Sequence, residues 1–367
     1  MHDTRTTVGE QLYVQPDEPQ KNSRFDVESF YFGEKPPRQE LIEQSQIIDI
    51  HDIGEVMDSR DGYIRRLGFR TAAGYAYAAL VGVPYKQETE IPVMYTTAWW
   101  TSTEGHNERT ARNLMRLGNV VMMVGAEGSW HDGRLSKPET KITLSGSAAA
   151  TLRFTQEVID DYKYFVDPIR RVLIGESRGA MVGMGILALD EDFSQDIKFA
   201  DLTAPCFPRK FKPSDALLLA SQIYHEPVST AKLIGKLTTN RLLHYPGTID
   251  ANPYSVAHQV MIGPALFSGE AGDLARQIDT DKIIHITCFQ NDKASMQKEW
   301  SSIFANNSNV RIVPLEGSHL SLADPQTLDY ILARNSAFKQ AYENNGDEIK
   351  PDDIYQAAHT LARTVNH

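Results

Sequence analysis

The chain has 367 residues, which is long for one compact domain and short for two full ones; a large α/β domain carrying an insertion fits that length. Its composition, 41% hydrophobic and 23% charged, is that of a globular protein able to bury a sizeable core. A formal net charge of -11 without a basic patch speaks against nucleic acid as a partner and weakly against polyanionic substrates.

Two cysteines, Cys206 and Cys288, are too few for a disulfide framework or a zinc cluster, and their apolar neighbours predict buried free thiols. The polar N-terminus, MHDTRTTVGEQ, lacks the apolar stretch of a secretory signal, and no apolar run reaches the roughly 18 residues of a membrane helix. No membrane span and a cytoplasmic location are the resulting expectations.

In chain order, residues 1–45 read as a polar, peripheral N-terminal arm that packs late or weakly, or else as an ordered arm on the domain surface. Ile47 to Ile50 and Tyr63 to Phe69 look like opening antiparallel strands. For Ala76 to Val83, periodicity does not separate strand from helix. A regular alternation follows: strand Ile91 to Thr96, helix Asn107 to Leu117 closed by Gly118, strand Asn119 to Val124, helix Ala148 to Tyr164, strand Arg171 to Gly175, helix Gly179 to Leu189, and a weaker strand Ile197 to Leu202. It resumes with strand Lys282 to Phe289, helix Met296 to Phe304, strand Val310 to Leu315 and helix Thr327 to Tyr342. Alternation of this kind predicts an α/β fold, with a mostly parallel sheet and helices on both faces. Residues 205–280 interrupt it with helical apolar runs and no convincing strand, and read as a helical cap inserted into a core made of 46–204 and 281–367.

One pentapeptide carries chemistry. Gly175-Glu176-Ser177-Arg178-Gly179 has the form G-x-S-x-G, which arises by chance in about one chain in ten of this length and composition, so its context must decide. An apolar strand runs into it and a helix of small residues leaves it, as a nucleophile elbow requires. A serine hydroxyl needs a base, a group to orient that base, and donors for the oxyanion. His319, in the loop after the strand Val310 to Leu315, is the expected base. Asp292, just past the strand Lys282 to Phe289, is the expected orienter; aspartate there also suits a helix N-cap, and the two roles are compatible. The order Ser, Asp, His fits the same arrangement.

With GESRG, QND after a strand, and LEGSHLSLADP, the chain resembles the α/β-hydrolase superfamily over about residues 91–345, without pointing to a subfamily. The resemblance implies an oxyanion hole made by the backbone N–H groups of Trp99 and Arg178. Thr-Ala stands at positions 97–98, where family members often have His-Gly, so the first donor departs from the pattern. The Arg178 side chain is expected to be exposed. Trp100 is a candidate for the acyl pocket or for core or cap packing, and His106 for substrate contact or a solvated loop. The scattered histidines of the cap do not form a metal-ligand pattern, and neither metal nor cofactor is implied.

The function this predicts is a serine hydrolase that cleaves a carboxylic ester or related small acyl compound through an acyl-enzyme. A thioesterase, an amidase or peptidase, an acyltransferase and a carbon–carbon hydrolase would use the same groups. A non-catalytic binding protein on the same fold is the alternative of a different class.

Overall fold

A computed structural model describes residues 38–59, 61–85, 93–96, 106–126, 143–159, 171–193, 196–217, 265–279 and 281–365. Nine strands form one sheet: β1 (Ile47–Ser59), β2 (Gly62–Thr71), β3 (Ala76–Pro84), β4 (Val93–Thr96), β5 (Val121–Val124), β6 (Arg171–Glu176), β7 (Ile197–Thr203), β8 (Ile283–Phe289) and β9 (Val310–Leu315). Their order is β1-β2-β3-β5-β4-β6-β7-β8-β9. β1, β2, β3 and β5 pair antiparallel in succession, and every pair from β5 to β9 is parallel. The segment Ala76–Pro84, undecided from periodicity, is a strand buried at every position. It lies inside the sheet with both faces covered, so its alternation is hidden.

The helices are α1 (Arg38–Gln44), α2 (His106–Arg116), α3 (Leu144–Ile159), α4 (Arg178–Leu189), α5 (Glu270–Ala275), α6 (Gln297–Ile303), α7 (Pro325–Asn345) and α8 (Pro351–Val365). Alternate residues of the parallel strands feed two cores. Met94, Leu173, Ala200, Leu202 and Ile286 pack with α3, α4 and α5. Tyr95, Val172, Ile174 and Phe199 pack on the other face with α2, α7 and α8. Both faces of the parallel strands are thus covered, as such strands require.

Several boundaries differ from the sequence reading, each for a tertiary reason. α3 begins four residues earlier than Ala148, because Glu270 on α5 accepts the Leu144 and Ser145 N–H groups at 2.8 and 2.9 Å. These donors are orphaned at any helix start, and here an acid 125 positions away satisfies them. α1 falls within the stretch read as a polar arm, yet its Leu41 is only 1% exposed and joins the main core. α8 lies beyond the last helix that the sequence pattern predicts.

The chain leaves the sheet after β7 and returns to it at β8, and no strand occurs between them among the described residues. The described ends of this insertion, 205–217 and 265–279, pack together. Phe211 N–H donates to the Phe267 carbonyl at 3.0 Å, and the rings of Phe207, Phe211 and Phe267 cluster with centroids about 5 Å apart. A Cβ on Gly272 would stand 1.8 Å from the Pro208 carbonyl oxygen, so this close approach needs glycine.

Candidate active site

The order β5-β4-β6 means that the chain leaves β4 toward one edge of the sheet and leaves β6 toward the other. Such a reversal opens a crevice at the carboxyl ends of the strands. Ser177 follows β6 at that point, in a strained conformation with φ 53° and ψ -115°. Its N–H donates to the Thr203 carbonyl at 2.8 Å. Gly175 lets helix and strand close up, because a Cβ there would meet Gly179 O at 2.7 Å and Ala180 Cα at 2.9 Å. The Thr96 hydroxyl, at the end of β4, donates to that same Gly179 carbonyl at 2.7 Å and ties the turn to the neighbouring strand.

The structure brings the three expected side chains together. Ser177 Oγ lies 2.8 Å from His319 Nε2, and His319 Nδ1 lies 2.7 Å from Asp292 Oδ2. With Nδ1 protonated, Nδ1–H donates to the carboxylate and Nε2 is left to accept the serine proton. Asp292 is buried, and it also accepts the Ser295 hydroxyl at 2.9 Å and the Ala294 N–H at 2.9 Å. It therefore takes the local amide that the capping alternative assigned to it, but α6 starts only at Gln297, with Met296 as its N-cap.

Burial alone would raise the Asp292 carboxyl. The facing imidazole and the three hydrogen bonds outweigh it, so the group is held below its ordinary value. Burial alone would lower His319. The Cys206 and Asp292 groups beside it reverse the balance and hold the imidazole well above 6.5. Four of the five non-glycine positive-φ residues among the described positions, Ser177, Ala204, Phe207 and Met296, flank this end of the sheet or the loops leaving it. Such strain concentrates where surrounding structure fixes a side chain for function.

The other expected residues fare differently. Arg178 opens α4, which points a helix N-terminus at the elbow. Its side chain is not exposed as expected: it is 3% accessible and donates to Ser147 Oγ at 3.1 Å, because α3 packs directly over this turn. His106 is the first residue of α2 rather than part of a loop. Trp99 and Trp100 lie outside the described residues. Sequence reasoning missed Cys206, whose Sγ lies 4.0 Å from His319 Nδ1, and Ser295, which buttresses Asp292. A lone cysteine in an insertion carries no spacing that predicts such a contact. Both cysteines are free and buried. Among the described residues no cluster of His, Cys, Asp or Glu is placed to hold a metal, and no helix is long and apolar enough to cross a membrane.

No family model and no curated protein matches the chain. Solved structures do. A structure of DcsB in complex with its substrate analogue matches with a TM-score of 0.50 at 13% identity, covering 81% of this chain and 99% of that one. An enol-lactonase from Burkholderia xenovorans matches with a TM-score of 0.47 at 16% identity, covering 73% and 97%. Acetyl xylan esterase 1 from a Thermoanaerobacterium species matches with a TM-score of 0.44 at 13% identity, covering 80% and 93%. At these identities the likeness is one of fold.

Proposed function

On the α/β-hydrolase fold that this chain has, we propose that Ser177, His319 and Asp292 act as nucleophile, base and orienting acid of a serine hydrolase that cleaves a carboxylic ester or related small acyl compound. The observation that carries the reading is the unbroken hydrogen-bond chain from Ser177 Oγ through the imidazole to Asp292. His319 takes the serine proton through Nε2 as Oγ attacks the acyl carbon. The imidazolium that forms is stabilised by Asp292 and then donates its proton to the leaving group. A water deprotonated by the same nitrogen releases the acid from the acyl-enzyme. The Arg178 N–H at the start of α4 is the oxyanion donor among the described residues, and Trp99 N–H is proposed as its partner.

The inserted segment 205–280 is proposed as a helical cap that borders the site and selects the acyl group. Its packed ends, with Cys206 against His319, support that placement. Thioesters, amides and acyl transfer would use the same three groups, so leaving group and acceptor are questions for assay. The test is labelling by a fluorophosphonate probe, followed by turnover of p-nitrophenyl esters of increasing chain length. Labelling at Ser177 with ester turnover supports the reading. An unlabelled, inert protein would favour a binding role.

A further inference from the structure

On the sheet face covered by α7, a fully buried guanidinium lies under the carboxyl ends of β7 and β8. Arg334 donates from Nε to Asp201 Oδ2 at 2.7 Å, and its Nη2 lies 2.7 Å from Asp201 Oδ1. Nη1 donates to Thr287 Oγ1 at 2.5 Å, and Nη2 reaches Thr203 Oγ1 at 3.4 Å. The Tyr330 ring lies against the cation at 4.3 Å.

The two threonines are also the residues whose carbonyls hold the site. Thr203 O accepts the Ser177 N–H at 2.8 Å, and Thr287 O accepts the Ala204 N–H at 2.7 Å. Two residues beyond Thr287, the Phe289 carbonyl accepts the Asp292 N–H at 3.0 Å. One rigid fork therefore spans the strand that pins the elbow and the strand that delivers the acid. The geometry points to Arg334, with Asp201 as its counter-ion, as a positioning residue that sets the separation of Ser177 and Asp292. This rests on the triad reading above.

Stability alone does not explain such a pair. Buried ion pairs are often no better than apolar packing of the same volume. Burial outweighs the attraction of Arg334 here: it pushes Asp201 up to about 6, and nearby Glu176 pushes the same way. Other titratable neighbours do not relieve it: His285 on β8 is held neutral, with both Arg334 and Arg311 on β9 disfavouring its charging, and burial raises the Tyr330 phenol so that it stays protonated. What the fork supplies is geometry. A planar guanidinium fixes three partners at once, which an ammonium does not. The Ser177–His319–Asp292 chain has only two hydrogen bonds of slack, and a misplacement of about 1 Å costs roughly 100-fold in rate.

The test uses Arg334→Lys and Arg334→Met together with Thr203→Val and Thr287→Val, which remove only the accepting hydroxyls. Four quantities are read: the kcat and KM of p-nitrophenyl acetate, the fluorophosphonate labelling rate, folding by circular dichroism, and the far-downfield proton resonance of His319 Nδ1–H. The expected result is a kcat and labelling rate lower by about 10- to 100-fold in both Arg334 variants, and by about 3- to 10-fold in each threonine variant, with KM nearly unchanged and the resonance shifted or broadened. Charge compensation alone predicts rescue by Arg334→Lys, so wild-type kcat in that variant overturns the proposal. If the Arg334 variants do not fold, the threonine variants decide, and wild-type kcat and resonance in both overturn it as well. An inert wild-type protein whose His319 resonance still moves in the threonine variants would sink the hydrolase reading and leave the fork standing.

Discussion

At the scale of single residues, the imidazole and carboxylate set the expected pH behaviour. In its proposed role His319 must be neutral to accept a proton, and its neighbours hold it above 6.5. The acid limb of kcat/KM is therefore expected to fall on the alkaline side of 6.5, rising as His319 loses its proton. Asp292→Asn removes the carboxylate that favours the charged ring, so the limb should move toward lower pH. The same change favours the wrong tautomer and should lower kcat by on the order of 10⁴. A pH–rate profile of both proteins checks the direction and the size; an unshifted limb with near-normal kcat would remove Asp292 from its proposed role. Ser177→Ala should lower kcat by about four to six orders of magnitude and abolish fluorophosphonate labelling, with the circular dichroism spectrum retained.

At the scale of elements, the site depends on how closely β6 and α4 approach. Gly175→Ala places a Cβ against the Gly179 carbonyl and Ala180 Cα, which are backbone atoms that cannot rotate away. The helix must shift, at an expected cost of about 1–3 kcal/mol in a urea unfolding experiment and with a lower kcat, since Ser177 rides on that turn. Glu270 joins α5 to the start of α3 through two backbone amides and the Ser145 hydroxyl. Glu270→Ala leaves those donors without their carboxylate and should cost about 1–2 kcal/mol by the same measurement. Because α5 lies in the returning end of the insertion, that variant also tests whether this end is held by the contact: Glu270→Gln, which keeps an acceptor, should recover part of the loss.

At the scale of the whole molecule, two buried groups bend stability with pH in opposite senses. His285 is fully buried, donates from Nε2–H to the Pro351 carbonyl at 2.9 Å, and is pushed down to about 3, chiefly by burial. Below 6.5 the unfolded chain takes up a proton at this residue and the folded chain does not, so its contribution is present above 6.5 and is lost as pH falls toward 3. Asp201 is raised to about 6, so the folded chain holds a proton that the unfolded chain has released, and stability falls as pH rises from 3.8 through about 6. Replacing His285 by Asn should make unfolding free energy between pH 6 and pH 4 less steep by up to about 1.4 kcal/mol per pH unit. Urea titrations at both pH values read this directly. The proposed cap is a question at the same scale. Ser177 and Asp292 are 115 positions apart while Asp292 and His319 are 27 apart, and a strand-helix-strand unit needs only roughly 30 residues. Bulky substitutions along Ser255 to Ala265 are expected to change ester chain-length preference more than turnover of the smallest ester; unchanged selectivity across the series would remove the cap from that role.

The amino-acid sequence determined by itself what depends on local pattern: the alternation of apolar strands and helices, the strand-GESRG-helix turn at Ser177, and the chain order of Ser177, Asp292 and His319. Each of these is encoded within a few consecutive residues, by periodicity or by small residues at fixed offsets. The tertiary structure decided what depends on distant partners. Ala76–Pro84 is a strand because β2 and β5 flank it; α3 starts at Leu144 because Glu270 satisfies its amides; Arg178 is buried because α3 lies over the elbow. Cys206 meets His319, and Arg334 meets Asp201, Thr203 and Thr287, across separations of 113, 133, 131 and 47 positions. No periodicity reaches that far, since side chains so remote in sequence become neighbours only when the sheet orders its strands.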